Sequence, residues 1–149
     1  MKNQVFSCNE PEATFELGKS IGGQLRSGDV VLLFGGLGAG KTLLTKGILS
    51  SLQYDIDEVT SPSFTLVNFY KTPNVDVYHI DLWRLDEGSN VAGAVGLYEI
   101  LDSNNAVTIV EWAEKLGEFS YDGRIIKVRI NGDGDEFRTI SIEWTPEEK

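Results

Sequence analysis

The sequence predicts one α/β domain over residues 1–149, built on a mixed parallel and antiparallel sheet. Three observations lead to this fold class. A continuous apolar run at residues 30–34 precedes a glycine-rich loop, and a helical pattern at residues 42–52 follows it. Later in the chain, two pairs of strand-like segments are separated by short turns, which favours antiparallel hairpins. The length of 149 residues suits one domain with a sizeable core.

Composition limits the classes of partner and the compartment. The formal net charge is −10, with 23 acidic against 13 basic residues. This balance argues against a nucleic-acid-binding surface, because phosphate neutralisation needs clustered Lys and Arg. The single cysteine, Cys8, excludes an internal disulfide framework. Neither a signal-peptide run nor a stretch of roughly 18 apolar residues is visible. We therefore expect a cytoplasmic protein without a membrane segment.

The first part of the chain is predicted to contain a strand and a helix before the glycine-rich loop. Residues 3–8 predict a short edge strand. Asn9 and Glu12 match a capping box, and apolar residues recur every four positions after them, which predicts a helix to about Arg26. The continuous apolar run before the loop predicts a fully buried strand.

The middle of the chain predicts a hairpin, a helical segment and a central strand. Residues 64–70 and 75–80 are strand-like and flank turn residues 71–74, which favours antiparallel pairing. Residues 85–101 show helical spacing interrupted by three glycines, which predicts one or two short helices. The apolar run at residues 106–110 is typical of a central buried strand.

The end of the chain predicts a second hairpin. Residues 124–130 alternate between apolar and polar side chains, which is typical of a strand with one buried face. Residues 131–135 have strong turn chemistry, and residues 137–144 form the returning strand. Residues 145–149 are expected to be a solvated tail.

Residues 35–42 match the phosphate-loop pattern G-x-x-x-x-G-K-[ST] without a mismatch. Glycines let backbone N–H groups wrap phosphate oxygens, and the following helix adds a favourable dipole. In this pattern Lys41 reaches the β- and γ-phosphates, and the Thr42 hydroxyl binds magnesium. The expected ligand is a nucleoside triphosphate. The loop residues expected to contact it are Gly35, Leu37, Gly38, Ala39, Gly40, Lys41, Thr42 and Leu43.

Two acidic residues close apolar strands and are candidates for catalysis and metal binding. Ligands of open α/β sheets bind beyond the carboxyl ends of the strands, where Asp81 and Glu111 are placed. Both are candidate magnesium ligands, since nucleotide hydrolysis needs a second carboxylate near the metal. It also needs a group that orients or deprotonates water. Glu111 is the better candidate for the water and Asp81 for magnesium. The alternative for each is an ordinary surface carboxylate or helix cap.

Three further features are weaker indications of function. Residues 61–65 are either a switch segment that senses phosphate or magnesium, or a hydroxyl-rich entry into a strand. His79 is the only histidine, which argues against a histidine-based metal cluster and against a Ser/His triad. We expect it to be a strand residue packed beside the site. Trp112 directly follows Glu111, which places it near the site as well.

The chain contains four sequence blocks in one order: Gly-x-Leu-Gly-Ala-Gly-Lys-Thr, Ser-Pro-Ser-Phe-Thr-Leu-Val, Tyr-His-Ile-Asp-Leu-Trp-Arg-Leu and Val-Glu-Trp. Together they resemble the TsaE family, small bacterial ATPases of tRNA threonylcarbamoyladenosine synthesis, over roughly residues 9–112. The resemblance implies a P-loop NTPase-like three-layer fold with ATP and Mg²⁺ as ligands. It also implies a cytoplasmic complex with TsaD-like and TsaB-like subunits, through which the protein reaches tRNA only indirectly.

The same resemblance implies roles for individual residues. These are phosphate contact for Lys41, magnesium binding for Thr42, a second magnesium-linked position for Asp81, a catalytic carboxylate for Glu111, a switch-like block for Thr65 and a place beside the site for Trp112. The chain departs from the family pattern at Gly36, where Asp is common, and at Leu43, where a second hydroxyl residue is common. We expect nucleotide binding to survive, because most loop contacts come from the backbone, but affinity or hydrolysis to be altered.

The leading hypothesis is an ATPase subunit, weak alone, that supports the tRNA-modifying complex. An independent small-molecule kinase would need an arginine-bearing lid, and only Arg84 lies near a predicted active-site strand end. A GTP-dependent switch protein would need an Asn-Lys-x-Asp sequence, which the chain lacks. A nucleotide-binding scaffold with little turnover stays open because of the two departures in the loop.

Overall fold

A computed structural model describes residues 3–35, 40–59, 66–85, 93, 96–103, 105–117, 119–132 and 138–145. The strands are β1 (Gln4–Cys8), β2 (Val30–Phe34), β3 (Val67–Lys71), β4 (Asp76–Asp81), β5 (Ala106–Glu111), β6 (Ile125–Asn131) and β7 (Arg138–Thr145). The α-helices are α1 (Pro11–Gly22), α2 (Lys41–Ser51) and α3 (Leu97–Leu101), and 3₁₀ turns span Ile56–Glu58 and Ala113–Leu116. Within these ranges no helix has the length and apolar character that crossing a membrane requires.

The strands form one seven-stranded sheet in the order β1-β7-β6-β2-β5-β4-β3. The four strands β6, β2, β5 and β4 run parallel to one another. The outer pairs β1–β7, β6–β7 and β3–β4 are antiparallel. The sheet is therefore mixed, and both predicted hairpins are confirmed. The first strand lies at one edge, also as predicted.

Apolar layers cover both faces of the sheet. One face packs against α1 and α2, with Ile21 and Ile48 buried against Leu33. The other face packs against α3 and the second 3₁₀ turn, with Leu97 and Leu32 in one buried cluster. All six residues of β5 are buried, which confirms the central strand predicted from its continuous apolar run.

Helices α1 and α2 approach each other so closely that glycine is needed at their contact. A Cβ atom added to Gly47 would lie 2.2 Å from the carbonyl oxygen of Phe15, and one added to Gly18 would lie 2.3 Å from that of Leu44. Both neighbours are backbone atoms, which do not rotate away as a side chain does. The position of α2 on the sheet is therefore set by backbone contact with α1.

The predicted bounds of the first helix are wrong at both ends. The cap is Glu10, not Asn9, because Pro11 is the first helical residue and its fixed φ suits that position. The helix ends at Gly22, four residues before Arg26. The Arg26 N–H donates to Asp29 Oδ2 at 2.7 Å, so this N–H is bonded outside a helical ladder.

Several predicted segments lie wholly or partly outside the described residues. The switch-like block at 61–65 and the first residues of the predicted strand 64–70 are among them. So are residues 133–137 of the second hairpin, the tail from 146, and most of the predicted helical segment 85–101, of which α3 is the described helix. Predictions for these residues stay predictions.

A buried ion pair joins the amino ends of β2 and β6, at the opposite edge of the sheet from the glycine-rich loop. Arg124 Nε lies 3.1 Å from Asp29 Oδ1, and its Nη2 lies 2.6 Å from Oδ2. The same Nη2 donates to the Gln24 carbonyl at 2.7 Å, and the guanidinium lies 5.0 Å from the ring centroid of Trp144. The guanidinium group of Arg124 thus links the segments that contain Gln24, Asp29 and Trp144.

We expect Arg124→Ala to lower the free energy of unfolding by about 3–5 kcal/mol, because it leaves the Asp29 carboxylate buried without its positively charged partner. Urea denaturation measures the change. A matched control is Lys71→Ala, which removes the exposed 4.0 Å pair with Asp76 and should change stability by less than about 1 kcal/mol. Equal losses in the two variants would contradict the structural role of the buried pair.

Candidate functional site

The carboxyl ends of three parallel strands meet beside the glycine-rich loop. In the sheet register Asp81 on β4 pairs with Glu111 on β5, and Glu111 pairs with Leu33 on β2. Both acidic residues are only 3% exposed. The structure therefore brings together the two carboxylates that the sequence singled out, at the point where β2 enters the loop.

Lys41 is the first residue of α2 and is 5% exposed. Its Nζ donates to the Gly35 carbonyl at 2.6 Å. Burial lowers the pKa of Lys41, while the negative charges of Glu111, Glu114 and Asp81 oppose that shift. The ammonium group is thus held in a poorly solvated place within the electrostatic reach of three carboxylates.

The N-terminus of α2 has backbone N–H groups suited to an anion. Gly40, the residue before it, has φ +105°, a left-handed conformation that favours glycine. No side chain caps this end within the described residues, and no acidic residue lies in its first turn. The N–H groups at a helix N-terminus and the helix dipole attract phosphate oxygens. Thr42 and Leu43 follow Lys41 in this turn, and both are half-buried.

Four predicted contact residues lie outside the described part of the chain: Leu37, Gly38 and Ala39 of the loop, and Thr65. The departure at Gly36 also lies there. One residue near the loop was missed by sequence reasoning. The Oγ1 of Thr14 is buried without a hydrogen-bond partner among the described residues, and its Cγ2 would lie 3.7 Å from a Cβ on Gly40.

Glu111 contacts His79 directly. His79 is fully buried on β4, and its Nε2 hydrogen-bonds Glu111 Oε2. Its Nδ1 lies 3.3 Å from the Tyr70 hydroxyl, which also accepts from Asn68 Nδ2 at 3.2 Å. The sequence predicted a histidine packed beside the site but missed this bond. The alternation of a strand, which puts His79 and Asp81 on one face, was the available signal.

Asp81 is held by the turn that follows β4. Its Oδ1 accepts the N–H of Trp83 at 2.9 Å, and its own N–H donates to the Leu66 carbonyl at 2.9 Å. These bonds fix both the backbone and the carboxylate at the strand end. The side chain therefore has a defined direction before any ligand binds.

Trp112 lies over Lys41, as its position after Glu111 suggested. Its ring centroid is 4.0 Å from Lys41 Nζ and 4.6 Å from the Trp83 ring. Its backbone has φ +59°, which is rare for a bulky side chain and stores strain at this turn. On the outer side of the aromatic pair, Lys115 Nζ donates to the Trp83 carbonyl at 2.8 Å. Trp112 thus covers the ammonium group of Lys41, and Trp83 packs against Trp112.

Glu114 is a second site residue that sequence reasoning missed. Its Oε2 accepts the Gly35 N–H at 3.2 Å, so it binds the first residue of the loop. The signal was its spacing of three residues from Glu111, across one turn. A cavity of about 400 Å³ lies beside this contact, and it is lined by Phe34, Gly35, Glu114, Arg129, Ile130, Asn131 and Gly132.

The oxygen donors at this edge suit Mg²⁺ better than a transition metal. Within the described residues no group of three or more His, Cys, Asp or Glu could hold a metal ion. Thr42, Asp81 and Glu111 supply hydroxyl and carboxylate oxygens only. Mg²⁺ is commonly bound by one or two carboxylates together with substrate phosphates and water, and Asp81 and Glu111 could supply the carboxylates.

Comparison with known proteins agrees with the pattern of the site. Residues 8–140 match the family model described as "Threonylcarbamoyl adenosine biosynthesis protein TsaE". A tRNA threonylcarbamoyladenosine biosynthesis protein TsaE from Mycobacterium leprae is 38% identical, over 97% of this chain and 92% of that protein. One from Rickettsia bellii is 35% identical, over 76% of this chain and 77% of that protein.

The fold agrees with a solved structure as well. The crystal structure of YdiB from Bacillus subtilis superposes with a TM-score of 0.72 at 30% identity, and the match covers 95% of this chain and 84% of that one. The chain therefore belongs to the TsaE family of threonylcarbamoyladenosine biosynthesis proteins.

Proposed function

We propose that the chain is a Mg²⁺-dependent ATPase subunit that supports the tRNA threonylcarbamoyladenosine modification complex. One observation carries the proposal. The buried ammonium of Lys41 and the carboxylates of Asp81 and Glu111 meet at the N-terminus of α2, which no described side chain caps. Positive charge, N–H donors and paired carboxylates are what phosphoryl transfer to water requires.

The proposal gives each described residue of the site a role. Lys41 and the first-turn N–H groups of α2, including that of Leu43, bind phosphate oxygens. Thr42 and Asp81 bind magnesium, and Glu111 orients or deprotonates the attacking water, with its own metal contact as the alternative. ATP supplies the phosphoanhydride bond, and Mg²⁺ neutralises charge on its phosphates. Trp112 shields Lys41 from solvent, which strengthens the electrostatic interaction with phosphate.

The charge balance favours contact with tRNA through partners. The net charge of −10 gives little attraction for a polyanion. We propose that TsaD-like and TsaB-like subunits in the cytoplasm supply the tRNA-binding and transfer functions, and that their docking stimulates ATP turnover. A scaffold with little turnover is the alternative, favoured by the missing carboxylate at Gly36.

The decisive experiment measures ATP turnover with and without TsaD-like and TsaB-like partners from the same organism. We expect little turnover alone and clear stimulation by the partners. Glu111→Gln should still bind ATP with Mg²⁺ but lose about 10²–10⁴-fold in kcat, the usual contribution of a general base. Asp81→Asn should mainly raise the Mg²⁺ concentration needed for half-maximal turnover.

Three outcomes would contradict the proposal. Equal turnover with and without partners would remove the role in the complex. Phosphate transfer to a small metabolite would indicate a kinase. ATP binding without turnover under every condition would favour the scaffold.

A further inference from the structure

A chain of four polar side chains runs from half-buried Asn68 on β3 across β4 to the end of β5. Asn68 Nδ2 lies 3.2 Å from the Tyr70 hydroxyl, that hydroxyl lies 3.3 Å from His79 Nδ1, and His79 Nε2 contacts Glu111 Oε2. Tyr70 and His79 are buried, and His79 is fully so. Nothing in the proposed hydrolysis itself uses Asn68, Tyr70 or His79, so their alignment needs a separate explanation.

The side chains of this chain can share their hydrogens in one direction. The Asn68 amide donates to the Tyr70 oxygen, and the Tyr70 hydroxyl lies within hydrogen-bond distance of His79 Nδ1. A neutral imidazole that accepts at Nδ1 carries its hydrogen on Nε2. That Nε2–H then donates to Glu111 Oε2. A hydrogen bond from the Tyr70 hydroxyl to Nδ1 would therefore fix the His79 hydrogen on Nε2, opposite Glu111.

The bond to His79 restricts an otherwise flexible acid. A glutamate side chain has several rotatable bonds, and its freedom opposes any single orientation. His79 and Glu111 lie on paired parallel strands, β4 and β5, whose register holds His79 opposite Ile109 and Asp81 opposite Glu111. With Oε2 bound to His79, the Glu111 carboxylate is held at the strand ends within electrostatic reach of Lys41.

We propose that His79 is a positioning residue that orients the Glu111 carboxylate for hydrolysis, and that Tyr70 sets the His79 tautomer for this purpose. The inference rests on the proposed ATPase function. It reverses the roles of the familiar triad, in which a carboxylate orients a histidine base. Outer residues of this kind commonly change activity by about 10–100-fold when they are lost.

Two substitutions separate positioning from mere stability. His79→Gln keeps an N–H donor that can reach Glu111, whereas His79→Leu keeps the volume but no donor. We expect His79→Leu to lose about 10–100-fold in kcat with partners present, at unchanged KM for ATP, and His79→Gln to recover most of that loss. Tyr70→Phe keeps the ring that packs 4.8 Å from Tyr54 but removes the hydroxyl, and should also lower kcat.

A spectroscopic readout is available that does not depend on turnover. His79 is the only histidine in the chain, so ¹⁵N-histidine labelling gives the Nδ1 and Nε2 signals of a single imidazole. We expect the Nε2–H tautomer in the wild type and a loss of that fixed tautomer in Tyr70→Phe. Thermal denaturation of each variant accompanies the measurement and identifies any variant that fails to fold.

The outcomes distinguish this inference from the proposed function. Wild-type protein without turnover, even with its partners, would overturn the ATPase function and the inference with it. Wild-type turnover with an unchanged kcat in folded Tyr70→Phe and His79→Leu would overturn the inference alone. An Nδ1–H tautomer in the wild type would overturn it as well, because His79 would then have no hydrogen to donate to Glu111.

Discussion

Lys41→Met should lower ATP turnover by about 10²- to 10³-fold, the usual effect of removing one group that stabilises transition-state charge. Its thermal midpoint at pH 7 should nevertheless be unchanged or higher than that of the wild type. The reason is that burial lowers the pKa of the lysine, so the folded state holds the proton less tightly than the unfolded chain. Methionine fills similar space without this unfavourable charge.

The pH dependence of stability has a definite sign. Because the folded pKa of Lys41 lies below 10.5, the unfolded state binds more protons between the two values. The contribution of Lys41 to the free energy of unfolding of the wild type therefore rises with pH in that window. The difference in stability between the wild type and Lys41→Met narrows as the pH approaches 10.5. Scanning fluorimetry from pH 7 to 10.5 measures it.

The matched control for the lysine is Lys46→Met on the same helix. Lys46 is half-buried and is not among the charges that meet at the strand ends. We expect the ATP turnover of Lys46→Met to stay within about twofold of the wild type, since substitutions away from a site have small effects. A large fall in the midpoint of Lys41→Met would show that the lysine stabilises the fold and would contradict the electrostatic argument.

Gly47→Ala should lower the free energy of unfolding by about 2–3 kcal/mol, although alanine is the better helix former. Its Cβ would lie 2.2 Å from the Phe15 carbonyl oxygen, so α1 and α2 must separate. Because α2 begins at Lys41, the separation should also displace the ammonium group and lower turnover. Chemical denaturation and ATP turnover give two independent measurements.

Gly23→Ala is the matched control, because it makes the same substitution at a position with room for the added Cβ atom. The nearest atom to its added Cβ is 3.6 Å away, and its φ of −65° suits any residue. We expect a change of at most about 0.5 kcal/mol. If the two alanine variants have equal stability, the close contact between α1 and α2 does not restrict the residue at position 47, which would contradict the prediction.

The sequence predicted those features that depend on local pattern. Continuous apolar runs identified β2 and β5 as central strands, and turn chemistry identified both hairpins. The convergence of Asp81 and Glu111 followed from a general rule, that parallel strands present their carboxyl ends at one edge. These inferences needed no knowledge of which side chains touch.

Features that depend on contacts between distant segments were out of reach. The bond between His79 and Glu111 needs the register of β4 against β5, and the bond between Gly35 and Glu114 joins residues 79 positions apart. The end of α1 was misplaced for a similar reason. The Asp29 side chain takes the N–H of Arg26, and helical periodicity contains no information about that bond.

The pairing of β1 with β7 has a consequence for the time at which the fold is completed. Cys8 lies opposite Arg138, so nearly the whole chain is synthesised between the two partners. During translation β1 leaves the ribosome before β7 does, and its hydrogen-bonding groups lack their sheet partner until β7 follows. Pairing of such distant segments slows folding and exposes strand edges to aggregation. The half of the sheet that holds β1, β7 and β6 should therefore form last, after the strands that carry Asp81 and Glu111 are already in place.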